Sequence, residues 1–313
     1  MKPRHLLLAL FATPCLQAAT ITWTGEGTDN NFGTLTNWVD PNTSNPPAAI
    51  DPGNSFTFAG STRLAPNNEA ARIGADNSIT FAAGAGSFNV GGNALRAGNI
   101  ANNSSVEQTI SLSLRYNGTR TINTGAAGIN LTNIPLSTSS TSSRTVDKTG
   151  SGTLTLSGSG GARILFNATA GTLAVTGNLA TTISATIASG ATLSGTGTIG
   201  GNLIFNSGAI LNVNLLDPLA VTGTATFTDL SFANITGWDA ANAADGNYTL
   251  VEGISSLTLA GSTPTLTNPH QFSATKFGYF RSGSLEAVIY TVPEPAFALL
   301  GSFGLLGLLR RRR

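Results

Sequence analysis

The segment VDKTGSGTLTLSGSGG, residues 146–161, sets the pattern for the middle of the chain. Its core, Gly-Thr-Leu-Thr-Leu at residues 152–156, alternates hydroxyl and aliphatic side chains, which is typical of a half-buried β-strand. Glycines flank this core on both sides, and glycine readily adopts the positive φ of a tight turn. The segment therefore predicts a short strand between two turns.

This unit of strand and turn recurs downstream at a nearly fixed interval. The glycines that open successive units are Gly152, Gly171, Gly190 and Gly208, and the matching leucines are Leu154, Leu173, Leu193 and Leu211. Stacked units would bury Leu against Leu and pair their backbones from unit to unit. We therefore expect an all-β, right-handed parallel β-solenoid (β-helix). A β-sandwich is the alternative, although it predicts no fixed period.

The opening segment also resembles a known repeat, the autotransporter-associated β-strand repeat, whose core is Lys-x-Gly-x-Gly-Thr-Leu-x-Leu-x-Gly. The residues at those positions are Lys148, Gly150, Gly152, Thr153, Leu154, Leu156 and Gly158. Upstream, residues 22–40 resemble the segment that often starts such proteins, through Trp23, Asn37 and Trp38. Both resemblances are consistent with a solenoid.

The N-terminal residues 1–19 have the pattern of a secretory signal peptide. Lys2 and Arg4 precede an apolar stretch at residues 6–12, and the small residues Ala18 and Ala19 follow. We expect the secretion machinery to export the chain and signal peptidase to cut after Ala18 or Ala19. The single cysteine, Cys15, would leave with this segment, which excludes disulfides and thiolate metal sites from the mature chain.

The C-terminal residues 292–313 combine an extended tetrapeptide, an apolar run and a basic end. The tetrapeptide is Val292, Pro293, Glu294 and Pro295, and the basic end is Arg310, Arg311, Arg312 and Arg313. As a helix, the apolar run at 296–309 would extend about 21 Å, against a hydrocarbon core of about 30 Å. We expect a short, marginal transmembrane helix whose arginines stay in the cytoplasm by the positive-inside rule.

This ordered pattern resembles the PEP-CTERM sorting signal of bacterial envelope proteins. The resemblance implies that an exosortase, a membrane-bound processing enzyme, recognises the tetrapeptide and cuts near it. The fixed φ of Pro293 and Pro295 would keep this segment extended, as a protease cleft requires. The arginines would then fix the topology of an anchor that is later removed, leaving the protein at the cell surface or in the extracellular matrix.

The charge distribution argues against nucleic acid as a partner. Charged residues make up 10% of the chain, well below the roughly 25% of ordinary domains. Six of the 16 basic residues lie in the two end segments, so the other ten are outnumbered by 15 acidic residues. Residues 164–275 contain no Lys or Arg, whereas nucleic acid binding needs clustered basic side chains.

Catalytic and cofactor patterns are also missing from the sequence. His270 is the only histidine beyond the signal peptide, and no acidic residue lies between Asp147 and Asp217. The spacing of Asp229, Asp239 and Asp245 follows no known motif, and we expect neither an enzyme, a metal site nor a cofactor.

Gly195, Gly197 and Gly200 match the dinucleotide pattern Gly-x-Gly-x-x-Gly. The residues that follow are strand-like rather than helical, so we interpret these glycines as turn residues.

The sequence thus predicts five parts. They are the signal peptide (1–19), a β-rich region of irregular solenoid coils (20–145), the repeats (146–230), a strand-rich cap (231–291) and the sorting signal (292–313).

We expect a structural or adhesive role in the surface layer or the exopolysaccharide matrix. The alternatives are a carbohydrate-binding module, which needs a cleft with exposed aromatic rings beside Asn or Asp, and a polysaccharide-degrading β-helix enzyme, which needs two acids and a basic residue on one face. The chain has three tryptophans, Trp23, Trp38 and Trp238. They are either stacking platforms for cell-surface glycans or buried anchors at the ends of the solenoid.

Overall fold

The computed structural model describes residues 19–51 and 53–293, which are almost entirely β-strand and turn. Two 3-10 helices are present, at Leu35–Asn37 and Phe232–Asn234. The strands are β1 (Thr20–Trp23), β2 (Trp38–Val39), β3 (Ser55–Phe58), β4 (Asn67–Asn68), β5 (Arg72–Phe81), β6 (Asn89–Gly92), β7 (Leu95–Asn102), β8 (Gln108–Ile110), β9 (Leu114–Tyr116), β10 (Arg120–Asn123), β11 (Ile129–Leu131), β12 (Leu136–Ser137), β13 (Arg144–Thr149), β14 (Thr153–Leu156), β15 (Ile164–Ala168), β16 (Thr172–Val175), β17 (Ile183–Ile187), β18 (Thr192–Ser194), β19 (Thr198–Ile199), β20 (Leu203–Phe205), β21 (Ile210–Asn212), β22 (Leu219–Val221), β23 (Thr224–Thr228), β24 (Ile235–Thr236), β25 (Gly246–Glu252), β26 (Ser256–Ala260), β27 (His270–Gln271), β28 (Lys276–Arg281) and β29 (Leu285–Thr291).

The strands form a parallel β-solenoid of about nine turns. Along most of the chain, strands of a 14-stranded sheet alternate with strands of a nine-stranded sheet, and each turn contains at least one strand of each. Strands β9 and β12 are additional members of the larger sheet, off its main path. The main path of the larger sheet is β2-β1-β3-β5-β7-β10-β13-β15-β17-β20-β23-β26, and the smaller sheet is ordered β24-β21-β18-β16-β14-β11-β8-β6-β4. A six-stranded sheet, β19-β22-β25-β29-β28-β27, adds a third face to the later turns. The predicted all-β fold and parallel solenoid are confirmed.

The repeated leucines form a buried column in the nine-stranded sheet. Leu154 pairs with Leu173, Leu173 with Leu193, and Leu193 with Leu211. All four side chains are at most 1% exposed. Because neighbouring strands lie only about 4.8 Å apart, each leucine contacts the leucine of the next turn. The repeat interval seen in the sequence is therefore the length of one turn.

The larger sheet contributes two more interior columns. One includes Ile122, Lys148, Ala168, Ile187, Phe205, Phe227 and Leu259, and the other includes Val146, Phe166, Ala185, Leu203, Ala225 and Leu257. Residues between these positions point outward, as Thr226 does between Ala225 and Phe227. The alternation of polar and apolar residues thus separates the solvent face from the core.

Lys148 is the one charged residue in these columns, and its side chain is fully buried. Its ammonium group donates to three backbone carbonyls, two at the turn that follows β13 and one at the turn that follows β15. The acceptors are Gly150 O at 2.7 Å, Gly152 O at 2.6 Å and Ala170 O at 2.6 Å. The three N–H donors of the ammonium group thus meet three acceptors. One of these acceptors, Ala170 O, belongs to the next turn of the solenoid. Ala168, the next residue of the column, is small and leaves room for the lysine stem.

Asn102 and Thr124 occupy the same corner in the preceding turns and are also buried. Asn102 Nδ2 donates to Gly128 O at 2.8 Å, and Thr124 Oγ1 donates to Gly152 O at 3.1 Å. Each side chain satisfies a carbonyl of the next turn, where the backbone leaves one sheet for the other and the regular pairing stops. Polar residues at this corner therefore connect consecutive turns.

The N-terminal end of the solenoid is closed by aromatic side chains. Strand β2 pairs antiparallel with β1 and brings Trp38 next to Trp23, with ring centroids 5.0 Å apart. Phe32 lies 5.2 Å from Trp38, and the indole N–H of Trp38 donates to Phe32 O at 2.8 Å. Both tryptophans are fully buried, so they anchor this end and cannot serve as surface platforms for sugars.

At the other end, the third sheet continues as an antiparallel meander. β25 pairs with β29, β29 with β28, and β28 with β27. Among the described residues, no helix is long and apolar enough to cross a membrane. The predicted transmembrane segment, residues 296–309, lies outside them.

Candidate functional site

An aromatic cleft opens where the last solenoid turn meets this meander. Strand β23 is followed by a 3-10 turn in which Ser231 N and Oγ both donate to Asn234 Oδ1, at 3.2 and 2.7 Å. This local closure directs Phe232 inward, and β24 then leads through Gly237, with φ of 81°, to Trp238. The meander supplies the opposite wall through β27 and the residue after it.

The cleft has a volume of about 410 Å³. Its lining residues are Phe232, Ala233, Ile235, Trp238, Asp239, Ala240, Ala241, His270 and Phe272. Four of these carry aromatic or imidazole rings, and one carries a carboxylate. Trp238 and Phe272 are half-buried, whereas His270 and Asp239 are exposed. The cleft therefore presents ring faces and one acidic group to solvent.

The rings of the cleft are held in place by one another. Phe232 stacks on the buried Phe280 with ring centroids 4.4 Å apart, and it meets Phe272 edge-on at 4.9 Å. His270 lies edge-on to Phe272 at 4.7 Å. Such pairs are each worth about 0.5–1.5 kcal/mol beyond area burial, so they restrict the side chains before any ligand arrives.

Trp238 is supported from behind by Tyr248 on β25. The two ring centroids are 4.7 Å apart, and the Tyr248 hydroxyl donates to Ala244 O at 2.8 Å. The loop between Trp238 and Tyr248 is tied further by Lys276, whose ammonium donates to Ala243 O. The indole therefore has a fixed position at the cleft wall.

Asp239 supplies a negative charge next to this indole. Its carboxylate accepts Asn242 Nδ2 at 2.6 Å and the backbone N–H groups of Ala241 and Asn242 at 3.1 and 3.3 Å. The side-chain bond from Asn242, followed by the backbone bond from the same residue, holds the pKa of Asp239 below its usual value. The group is thus ionised at neutral pH and can accept hydrogen bonds from a ligand.

The three aspartates noted in the sequence do not form one acidic centre. Asp229 accepts Ser262 N at 2.7 Å, Asp239 bonds the Asn242 loop, and Asp245 accepts the N and Oγ1 of Thr291 at 2.9 Å each. Across residues 19–51 and 53–293, no cluster of three or more potential metal ligands is present. Each aspartate therefore closes a separate turn.

The glycines of the dinucleotide-like pattern lie against the preceding turn of the solenoid. A Cβ atom on Gly195, Gly197 or Gly200 would come within 1.9, 2.3 or 2.3 Å of a backbone oxygen there. No helix follows, since Leu203–Phe205 is strand β20. The close approach of two backbones explains these residues without a nucleotide.

A second, shallower groove runs along the solenoid flank and has a volume of about 260 Å³. Its lining is rich in hydroxyl and amide side chains, namely Ser143, Ser184, Thr186 and Asn202, with Ile164, Leu165, Ala185 and Ile204. Part of its polar surface is used internally, because Asn202 N donates to Ser184 Oγ at 3.0 Å. Its lining has no aromatic ring or charged group, so the cleft of the cap is the stronger candidate site.

The predicted sorting signal begins at the end of the last strand. Thr291 is bonded to Asp245, and Val292 N donates to Thr275 O at 2.7 Å. The side chain of Val292 is 45% exposed, and Pro293 is exposed as well. The remaining predicted residues, Glu294, Pro295, Arg310, Arg311, Arg312 and Arg313, lie outside the described residues.

Sequence reasoning identifies only part of the cleft. It points to Trp238 as a candidate platform, but it gives no reason to select His270, Phe232 or Phe272. These residues are far apart along the chain, and no periodic pattern links them. The enrichment of aromatic residues after residue 230 is the one signal that the sequence offers.

Known proteins offer no guide to the function of this chain, so its fold and the aromatic cleft are the basis for a proposal. The chain matches no protein-family model, no curated protein and no solved structure. What the chain presents is a parallel β-solenoid whose C-terminal end carries an aromatic cleft with one ionised carboxylate.

Proposed function

We propose that this chain is a non-enzymatic, adhesive protein of the cell envelope that binds carbohydrate in the aromatic cleft. The observation that carries the proposal is the pairing of Trp238 with the ionised Asp239 at the wall of a pre-formed cleft. This arrangement meets the condition that separates a carbohydrate-binding module from a passive scaffold. Carbohydrate binding is therefore favoured over a purely structural role.

The chemistry of the cleft suits a sugar ring. The faces of a pyranose are lined with C–H groups that pack on an aromatic ring, while its edge carries hydroxyl groups. Trp238 and Phe272 offer ring surfaces, and the carboxylate of Asp239 accepts hydroxyl protons. Because these side chains are held by Tyr248, Phe232 and Asn242, little conformational entropy is lost on binding.

The solenoid would serve as a rigid, weakly charged support for this cleft in the surface layer or the exopolysaccharide matrix. Its outward residues are mainly Thr, Ser and Asn, which can form many weak contacts with glycans. A right-handed coil, a strand-rich cap and a short transmembrane helix complete the proposed architecture. In the precursor, the helix would hold the chain in the membrane with its C-terminus in the cytoplasm.

Delivery to the surface would depend on the two end segments. Signal peptidase would remove residues 1–19, and an exosortase would act at Val292, Pro293, Glu294 and Pro295. The hydrogen bonds at Thr291 and Val292 support this route, because they keep the cap folded up to the edge of the motif. The enzyme could then cut the chain without unfolding it.

Processing is tested by the intact mass and location of the protein from its native host, with and without the exosortase. We expect an extracellular product that lacks residues 1–19 and the apolar tail, and that forms only when the exosortase is present. A full-length C-terminus retained in the membrane under both conditions would show that the tail is a permanent anchor. The sorting proposal would then be abandoned, while the cleft proposal would stand.

Carbohydrate binding is tested with the variant Trp238→Ala. We expect affinity for the host exopolysaccharide and its oligosaccharides, measured by calorimetry, to fall at least about tenfold, because the main stacking surface is lost. The matched control is Phe277→Ala, which removes an aromatic ring that pairs with Tyr290 on β29, outside the cleft. Equal affinity in the wild-type protein and Trp238→Ala, or release of new reducing ends from the polysaccharide, would contradict the proposal.

A further inference from the structure

The last strand of the 14-stranded sheet has one unpaired edge. β26 pairs in parallel with β23 along its whole length and, among the described strands, with no other. The meander does not pair with this edge, because it extends the six-stranded sheet instead. A row of backbone N–H and C=O groups on β26 therefore remains free to pair with another strand.

Two interior columns of the solenoid also end on β26. Leu257 follows Ala225 in one column, and Leu259 follows Phe227 in the other. Both leucines are half-buried, whereas Ala225 and Phe227 are at most 1% exposed. Their side chains point toward the core, but no further turn covers them. Nearby, Leu266 is 65% exposed on the loop that follows the strand.

The two ends of the solenoid differ in how their edge strands are protected. At the N-terminal end, β2 pairs with β1, and Trp38 covers the core. At the C-terminal end, β26 has the sequence Ser-Leu-Thr-Leu-Ala, without a charged residue or proline. Charges, prolines and bulges are the usual protection of edge strands in monomeric proteins, and β26 has none of them.

The strand is complementary to a second copy of itself. When two such strands run antiparallel about Thr258, Leu257 of one copy lies opposite Leu259 of the other. Both leucines belong to the core-facing side, so the apolar row would continue across the contact. The same edge supplies both partners, which is the condition for a closed twofold dimer. We propose that β26 pairs antiparallel with β26 of a second copy and joins two solenoids end to end.

The oligomeric state of the full chain in mild detergent tests this pairing. We expect a dimer by light scattering, and we expect Leu259→Lys to convert it to a monomer, because a charge would be buried at the contact. The control is Ile204→Lys, at an outward position that is already 46% exposed and lies two strands from the edge. A monomeric wild-type chain would overturn the proposal. So would a dimer that survives Leu259→Lys, since the contact would then lie elsewhere, for example in residues 296–309.

Cross-linking tests the antiparallel register and does not depend on the charged variant. In a Cys15→Ser background, Thr258→Cys places one thiol on the proposed twofold axis, and opposed Cβ atoms in antiparallel strands are about 5 Å apart. A short bifunctional thiol reagent is expected to give a covalent dimer with Thr258→Cys and none with Thr226→Cys on the neighbouring strand. Equal yields from the two variants would exclude pairing through β26.

Discussion

Lys148→Met is expected to lower the free energy of unfolding by about 2–5 kcal/mol. Methionine can fill the space of the lysine stem between Ile122 and Ala168 in the column. It cannot donate hydrogen bonds, so Gly150 O and Ala170 O lose the partner that the lysine gives them, whereas Gly152 O still accepts from Thr124 Oγ1. A buried polar group left without a partner costs about 1–3 kcal/mol.

Chemical denaturation and amide hydrogen exchange measure this effect. Exchange is expected to accelerate first at the amides of Gly152 and Thr172, which donate to Gly125 O and Gly152 O at this corner. Lys276→Met is the matched control, since Lys276 donates to a single carbonyl in the cap. Similar losses of stability in both variants would show that the three-carbonyl contact has no special role.

The burial of Lys148 also predicts a dependence of stability on pH. Burial lowers the pKa of Lys148 from 10.5 to about 8 in the folded chain. Between these values the unfolded state binds more protons than the folded state, so the stability contributed by this site rises with pH. Below the folded-state pKa both states are protonated and the contribution levels off. The difference in free energy of unfolding between the wild type and Lys148→Met should therefore widen as the pH rises from about 8 toward 10.5. A difference that narrows over this range would contradict the prediction.

Gly195→Ala is expected to destabilise the chain by at least about 3 kcal/mol. Gly195 has φ of 119°, and an added Cβ would lie 1.9 Å from Val175 O in the preceding turn. The variant therefore combines a strained backbone, which alone costs about 1–3 kcal/mol, with a clash against a backbone atom that is fixed by pairing. Relief would require two turns of the solenoid to separate.

Gly190→Ala separates the two contributions. Gly190 also has a positive φ, 76°, but nothing lies within 4 Å of an added Cβ. This variant should show the conformational cost alone, about 1 kcal/mol. Denaturation midpoints of both variants, measured under the same conditions, provide the comparison. Equal losses would mean that the contact with the preceding turn is looser than the structure indicates.

The repeat region was predictable because its physics is local and periodic. A fixed spacing of Gly and Leu is enough to identify the length of one turn, and Leu154, Leu173, Leu193 and Leu211 pair as that spacing requires. Lys148 shows the limit of this reasoning. Hydropathy alone would place a lysine outside, and only the carbonyls that meet at the corner make its burial favourable.

The cleft was less predictable, because it depends on contacts between distant segments. Trp238 and Phe272 come from different parts of the cap, and their meeting is set by the antiparallel register of β25, β27, β28 and β29. Antiparallel pairing after a parallel solenoid leaves no repeat in the sequence. Aromatic residues there identify a packed cap, but not which rings line a surface.

The lack of basic residues in the second half of the chain also has a practical consequence for detecting this protein. Residues 164–275 contain no site for trypsin, so a complete digest would release one very long peptide, from Ile164 to Lys276. Peptide surveys based on trypsin would sample almost only the first half of the molecule and would miss the cleft. Cleavage at aspartate would divide the missing region at Asp217, Asp229, Asp239 and Asp245. The same scarcity of basic residues would protect the exposed loops of this half from trypsin-like proteases.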